Sequence, residues 1–272
     1  MRTVVVFLLA SALAPAALAA NCPTVSSGVL TVGTDNPAYP PWFGGTPAKG
    51  SFWKVSDPTS GQGYESAVAY AVATQLGYPQ AKVKWTYVPF NRAFAPGRKS
   101  FDFDVNQISF TPQRAKVVTF SSSYYDVNQA VVVLKGTKIA NVETSAGLKD
   151  YKLGVQLGTT SYSYVVDHVG KKPAVYPSNA AAIQALKNKQ IDGLVVDLPT
   201  AFYVRDVQVP HSKVLGQFPS VPGGEHFGLV FAKGNPLAAC VDAALARLKA
   251  NGTLARIHEK WLAEANDAPN LK

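Results

Sequence analysis

The stretch between Phe101 and Asp126 constrains the fold of this 272-residue chain most. Its first half alternates apolar residues with acids or amides, which predicts a β-strand. The pattern becomes helical at Thr111 and Pro112, because Thr is a good N-cap and Pro fits the first helical position. A strand that leads directly into a helix is typical of α/β layers.

Arg114 falls in the first turn of this predicted helix, where a cation is unfavourable by roughly 0.3–1 kcal/mol. One interpretation is that an anion lies between its guanidinium, the free helix N–H groups and the hydroxyl of Ser109. The other is a surface ion pair with a nearby carboxylate, which contributes only about 0–1 kcal/mol. The local sequence leaves both interpretations open.

The N-terminus reads as a cleaved secretory signal over residues 1–19. Arg2 precedes an apolar run, and Ala17-Leu18-Ala19 fits a cleavage site. The run is too short to span a bilayer, which takes roughly 20 apolar residues. We therefore expect an exported protein, either periplasmic or extracellular.

Export changes the meaning of the two cysteines, Cys22 and Cys240. In an oxidising compartment an even number of cysteines favours a disulfide, here between the N-terminal segment and a C-terminal helix. Lipid attachment at Cys22 is the alternative. Asn21 precedes Cys22, where a lipoprotein signal has Gly or Ala, so we favour the disulfide.

The net charge of +9 is spread along the chain without a basic stripe or an Arg/aromatic cluster, so no nucleic-acid partner is predicted. The four histidines show no metal-ligand spacing, and no phosphate-loop or nucleophile-elbow motif occurs. We expect no metal, no cofactor and no catalytic residue.

Strands alternate with helices along the chain, which indicates α/β layers with largely parallel sheets. We predict strands at 29–34, 83–88, 101–105, 129–134, 152–156, 193–196 and 227–231. The pattern restarts near residue 135, which indicates two lobes. The last strand and helices must pack on a sheet, and the sheet of the first lobe is available to them. The lobes are therefore predicted at 27–128 with 225–266 and at 129–224, joined by two crossovers.

Three groups would meet in the cleft between such lobes, where α/β sheets usually bind ligands. Ser109 and Arg114 come from the first lobe, Gly158-Thr159-Thr160 forms a second anion-friendly turn, and Asp197 ends a buried strand. Together they complement the carboxylate and ammonium of a free amino acid. Ordinary N-capping by Thr160 or Asp197 is the alternative for each element alone.

Aromatic residues occupy the Pro- and Gly-rich loop after the first strand. The loop displays Tyr39, Trp42 and Phe43 at a strand end, which suits a ligand wall. A loop that packs onto a core would use such residues too.

In these stretches and in others along its length, the chain resembles the extracellular solute-binding proteins of polar amino acid ABC importers. The similar stretches follow the family's order over most of the mature chain and include SFTPQRAKVVTFSSSYY, LGVQLGTTS, QIDGLVVDLPTAFY and NGTLARIHEKWL. The resemblance implies a two-lobed periplasmic-binding-protein fold. It also implies a free amino acid as ligand and a membrane permease as partner.

The resemblance assigns roles to individual residues. It implies that Arg114, Ser109, Thr159 and Thr160 bind the ligand carboxylate, and that Asp197 binds the ammonium. Tyr39 and Phe90 match wall positions, and Asp35 matches an acid near the side-chain pocket. Gln107 departs from the family, which usually has a small residue there, so Asn106 and Gln107 narrow the cleft or read the ligand side chain.

We therefore expect a monomeric, non-enzymatic receptor that captures a polar or basic amino acid for import. A periplasmic cyclohexadienyl or arogenate dehydratase-like enzyme is the first alternative, with Glu65, Glu225 and His226 as candidate acids or bases. A ligand-sensing module that uses the same pocket is the second.

Overall fold

The computed structural model describes residues 22–219, 224–263 and 268–272, so the predicted signal segment lies outside the described residues. The strands are β1 (Leu30–Thr34), β2 (Val83–Tyr87), β3 (Phe103–Asp104), β4 (Val118–Phe120), β5 (Tyr125–Asp126), β6 (Gln129–Leu134), β7 (Leu153–Gln156), β8 (Ala174–Tyr176), β9 (Gly193–Asp197), β10 (Ser212–Gln217), β11 (His226–Phe227) and β12 (Val230–Ala232).

The helices are α1 (Tyr64–Gln75), α2 (Phe90–Ala93), α3 (Pro112–Ala115), α4 (Thr160–Tyr164), α5 (Asn179–Lys187), α6 (Leu198–Tyr203), α7 (Leu237–Ala250) and α8 (Thr253–Leu262). Short 3₁₀ turns lie at Pro58–Ser60, Gln80–Lys82, Lys138–Asn141 and Ala146–Asp150, and π-helical turns extend α4 and α6 over Val165–Val169 and Val204–Gln208. In the described ranges, no helix has the length and apolar character needed to cross a bilayer.

The first sheet has the strand order β2-β1-β3-β12-β4. Strand β1 pairs in parallel with β2 and β3, whereas β12 pairs antiparallel with β3 and β4. Apolar side chains of β1, β3 and β12 pack against α1, α7 and α8 in one core. This lobe therefore takes its last strand and two of its helices from the end of the chain.

The second sheet has the order β10-β6-β9-β7-β8. Strand β6 is buried on both faces of this sheet. Ala130 and Val132 pack with α5 and α6, and Val131 and Val133 pack on the opposite side. A strand covered on both faces needs an uninterrupted apolar run, which explains the sequence of β6.

Each sheet contains one reversed strand. Strand β12 runs against its neighbours in the first sheet and β6 runs against its neighbours in the second. Both strands follow directly after the chain has passed between the lobes, so they enter their sheets from the opposite end. The predicted two-lobed α/β fold is confirmed, with mixed rather than largely parallel strand pairing.

The two predicted crossovers lie side by side. Strands β5 and β11 form a two-stranded antiparallel ribbon, and the N–H of Val127 donates to the carbonyl of Glu225 at 3.0 Å. We call the segments around this ribbon, residues 121–128 and 224–229, the hinge. The lobe limits given above stay a prediction.

Two further features hold the ends of the chain. Cys22 and Cys240 form the predicted disulfide, with a Cα–Cα distance of 6.0 Å, and so tie the N-terminal segment to α7. At the other end, Leu271 is 2% exposed in the core of the second lobe, and its N–H donates to the carbonyl of Gln217. The C-terminal residues thus return to the second lobe, which the sequence patterns did not predict.

Candidate ligand-binding site

A cavity of about 410 Å³ lies between the lobes and receives side chains from both. Nine of the ten predicted ligand-binding residues line it: Asp35, Tyr39, Phe90, Gln107, Ser109, Arg114, Thr159, Thr160 and Asp197. They come from the ends of β1, β3, β7 and β9 and from the helices or loops that follow. The fold therefore brings distant stretches of the chain to one place.

Arg114 lies in the first turn of α3, as predicted, with Thr111 as the N-cap that accepts from its N–H at 3.1 Å. Its guanidinium donates to the carbonyls of Ser109 at 2.6 Å and Gly158 at 2.7 Å. The ring of Phe94 lies 4.2 Å from the guanidinium carbon. These contacts fix a cation at the boundary of the two lobes and rule out an exposed surface ion pair.

Burial lowers the pKa of Arg114 to about 10, while Glu225 and Asp197 act in the opposite direction. The side chain therefore keeps its charge at neutral pH. Two of the five N–H donors of a guanidinium are used by the two carbonyls. The remaining donors are available for a carboxylate in the cavity.

Asp197 ends β9 and precedes α6, but its side chain makes no capping hydrogen bond. Its Oδ1 instead accepts from Nε2 of Gln129 at 2.7 Å. Burial raises the pKa of Asp197 to about 8, and the neighbouring Glu225 carboxylate is the second cause. An acid with this environment is short of a cationic partner.

Gln129 and Glu225 complete the site and were not predicted as ligand-site residues. The hydroxyls of Ser109 and Thr160 donate to the Glu225 carboxylate, and Gln129 Nε2 lies 3.0 Å from it. Each hydroxyl has a single proton. Glu225 therefore receives both protons in this arrangement, and the binding of a ligand carboxylate by Ser109 and Thr160 stays a prediction.

The turn before α4 approaches the first lobe closely. Gly158 has φ +80°, and a Cβ atom there would overlap the side chain of Asn91. The hydroxyl of Thr159 donates to the carbonyl of Gln156 at 2.8 Å within this turn, and its contact with a ligand stays a prediction. Glycine is needed here both for the backbone conformation and for the contact between the lobes.

Gln107 adopts a left-handed backbone with φ +48°, which glycine accommodates more readily. Its N–H donates to Glu65 at 2.7 Å and its side-chain amide donates to the same carboxylate. The NH₂ group of Gln107 is therefore directed towards Glu65. Gln107 lines the cavity, and its contact with a ligand side chain stays a prediction. Nδ2 of Asn106 is buried and has no hydrogen-bond partner among the described residues, and Asn106 is one of the residues that line the cavity.

Trp42 is the predicted residue that the structure places elsewhere. It is 1% exposed and packs against Tyr64, Tyr125 and Phe227 in the core of the first lobe. The aromatic loop therefore divides its residues, since Tyr39 and Phe43 line the cavity and Trp42 does not. Nε1 of Trp42 donates to Thr200 of the second lobe at 2.9 Å.

Carboxylates outnumber cations around the cavity. Arg114 is the only Lys or Arg among the described residues that line it, and Asp35 and Asp197 line it too. Behind them lie three more acids, namely Glu65, Asp104 and Glu225. Both oxygens of Asp104 lack a hydrogen-bond partner in the described part of the chain.

The fold and the cavity define a class of protein, the two-lobed binding proteins that hold a small ligand between their lobes. The chain belongs to the bacterial extracellular solute-binding proteins, family 3, whose profile matches residues 30–264. It is 28% identical over 207 residues to ABC transporter arginine-binding protein 1 of Escherichia coli, a match that covers 73% of this chain and 81% of that protein.

Solved structures agree with this assignment. An ancestral arginine-binding protein bound to arginine superposes with a TM-score of 0.68 at 31% identity, covering 86% of this chain and 98% of that one. The ancestral amino acid-binding protein AncCDT-1, a precursor of cyclohexadienyl dehydratase, superposes with a TM-score of 0.65 at 28% identity over 86% and 95% of the two chains.

The relatives are amino-acid-binding proteins of ABC transporters, and the chain is one of this class: it captures an amino acid for import. Members of the family are extracellular. The signal peptide itself stays a prediction.

Proposed function

We propose that the ligand is a free cationic amino acid, with arginine as the first candidate. The observation that carries this proposal is the surplus of buried carboxylates around a cavity with one arginine. Burial raises the pKa of Asp35, Glu65, Asp104 and Asp197, and nearby cations oppose this only in part, Lys99 at Asp104 and Arg114 at Asp197. The site is therefore short of positive charge. A ligand with a net positive charge would supply it.

The proposed pose begins with the ligand carboxylate on Arg114. The guanidinium has donors left, and the backbone N–H of Ser109 adds another. Ser109 forms an antiparallel bridge with Phe227 in which the flanking residues make the hydrogen bonds, so its own N–H and carbonyl point away from the hinge strand. Its carbonyl accepts from Arg114, which shows that this side of the residue faces the guanidinium.

The ligand ammonium then lies on Asp197, in the second lobe. The side chain of the ligand extends between Tyr39 and Phe90 towards Asp35, which accepts the backbone N–H groups of Asn36, at 2.7 Å, and of Phe90. Cation–π contact with an aromatic wall contributes roughly 0.5–2 kcal/mol. Because the ligand touches both lobes, it binds the closed arrangement better than an open one, and this difference drives closure.

Of the three groups named for the enzymatic alternative, Glu225 accepts from Ser109 and Thr160 beside the cavity, and Glu65 and His226 are engaged elsewhere. Glu65 accepts from Tyr124 and Gln107, and the ring of His226 stacks on Phe110. Neither lines the cavity, as a general acid or base would have to do. We therefore propose a monomeric receptor that delivers its ligand unchanged to a membrane permease, and turnover of arogenate by the purified protein would contradict this.

Isothermal titration calorimetry with arginine and citrulline tests the ligand class, because citrulline is the uncharged isostere of arginine. We expect micromolar binding of arginine, about −8 kcal/mol, and at least tenfold weaker binding of citrulline.

Two substitutions test the proposed pose. Arg114→Ala and Asp197→Ala each remove one partner of a buried charge pair, which costs about 2–5 kcal/mol of binding free energy. The matched control is Arg98→Ala at an exposed position. Equal affinity for the two ligands would overturn the proposal.

A further inference from the structure

Glu225 occupies an unusual position for a charged residue, between the two lobes in the hinge. Its carboxylate receives hydrogen bonds from Ser109 in the first lobe and from Thr160 and Gln129 in the second. Its backbone carbonyl accepts from Val127 in the other hinge segment. One residue thus connects both lobes through its side chain and both crossovers through its backbone, although it does not line the cavity.

The orientation of Gln129 follows from its neighbours. Gln129 is fully buried, and the hydroxyl of Ser161 donates to its Oε1 at 2.7 Å. The NH₂ group must therefore face the other way, where Asp197 lies at 2.7 Å and Glu225 at 3.0 Å. An amide NH₂ has two protons, so one can point to each carboxylate.

We propose that Glu225 is a positioning residue of the amino-acid site, which orients Gln129, Ser109 and Thr160 and, through Gln129, holds Asp197 ready for the ligand ammonium. This inference rests on the proposed function for the nature of the ligand. It explains why the two hydroxyls serve the hinge while the guanidinium and backbone N–H groups remain for the ligand carboxylate. It also gives the buried Gln129 a role.

The charge of Glu225 acts on Asp197 as well. The charged or titratable groups that face Asp197 are Glu225, Glu65, Arg114 and Tyr125. Burial is the main cause of the raised pKa of Asp197, and the Glu225 carboxylate is the second. The hydrogen bond from Gln129 lowers this pKa. An ammonium that binds Asp197 would therefore release the proton of the carboxyl to the solvent at neutral pH.

Two substitutions with opposite expected signs test the proposal in the ligand-free, full-length mature protein. A carbon-detected NMR titration of the Asp197 carboxyl, assigned with Asp197→Asn, measures its midpoint. Glu225→Gln should lower the midpoint by about one pH unit, because it removes a like charge. Gln129→Leu should raise the midpoint, because it removes a donor to the charged form. Glu143→Gln, at an exposed position, is the matched control and should change nothing.

Calorimetry with arginine at pH 7, in two buffers of different ionisation enthalpy, adds the proton count. The wild type should release close to one proton per ligand, and Glu225→Gln should release fewer and bind about tenfold more weakly. A folded Glu225→Gln variant with an unchanged Asp197 midpoint would overturn the proposal, even if its affinity fell. If wild-type protein does not bind arginine, the proposed ligand class fails, and the titration without ligand still decides the role of Glu225.

Discussion

The carboxyls of Asp197 and Glu65 lie in water-poor surroundings, and this sets how single residues respond to pH. Burial raises the pKa of Asp197 to about 8 and that of Glu65 to about 7, so the folded protein holds protons that the unfolded chain releases above about pH 5. Their contribution to stability is complete at low pH and is lost as the pH rises through these values.

We therefore expect the free energy of unfolding of the ligand-free protein to fall between about pH 5 and about pH 8. Urea unfolding at several pH values measures this slope. Asp197→Asn and Glu65→Gln should each flatten it, since the amide carries no titrating proton. A stability that rises over this range in the wild type, with the same slope in both variants, would contradict the assignment.

Single residues were predictable where the chemistry is local. Arg114 stands in a helix first turn and Asp197 ends an apolar strand, so each is conspicuous in the sequence. Gln129 carries a signal too, since it is the one polar residue of the otherwise apolar β6. The contact between Gln129 and Glu225 depends on two segments 96 residues apart that meet only in the folded hinge. Trp42 lies in the core and not at the cavity. The sequence could not show this, because an aromatic side chain on a loop can point either to a ligand or to the core.

At the scale of elements, the turn before α4 meets α2 across the cleft, and a substitution can probe this contact. Gly158→Ala would force an alanine into φ +80° and push its Cβ into Asn91. The exposed Asn91 side chain must turn aside for the lobes to meet. We therefore expect arginine binding to weaken about two- to tenfold, with a stability loss of about 1 kcal/mol.

Gly170→Ala is the matched control for this prediction, since Gly170 has φ +72° and open space where a Cβ would lie. It should lose similar stability and keep its affinity in calorimetry. Asn91→Ala combined with Gly158→Ala should recover most of the binding. Equal affinities for the two alanine variants would show that closure does not depend on this contact.

Some elements were predicted well and others were missed. The apolar run of β6 and the periodicity of α1 and α7 identify these elements from the sequence. The three-residue strands β4 and β8 were missed because so few residues show no alternation, and the six-residue β10 was missed as well. The reversed directions of β6 and β12 depend on the path through the hinge, which local periodicity does not encode.

For the whole molecule, the relation between the lobes decides affinity, because only the closed arrangement offers both ends of the cavity to one ligand. In the described part of the chain, the contacts that join the lobes near the cavity include Arg114 with Gly158, Ser109 with Thr160, and Trp42 with Thr200. The third lies outside the residues that line the cavity. It can influence binding only by changing the population of the closed form.

Trp42→Phe therefore provides a test of the whole-molecule mechanism. Phenylalanine keeps an aromatic ring at this buried position, with some loss of packing volume. It removes the N–H that donates to Thr200 at 2.9 Å, a hydrogen bond with a net contribution of about 0.5–1.5 kcal/mol. We expect arginine affinity to fall about two- to tenfold by calorimetry. Thr200→Val should have the same effect, and the double variant should lose no more affinity than either single variant, because both substitutions remove the same interaction.

Trp85→Phe is the control, since Trp85 donates to Tyr70 within the first lobe and the loss of this hydrogen bond should leave affinity unchanged. Additive losses for Trp42 and Thr200, or an equal loss for Trp85, would mean that the bond between the lobes does not set the closed population.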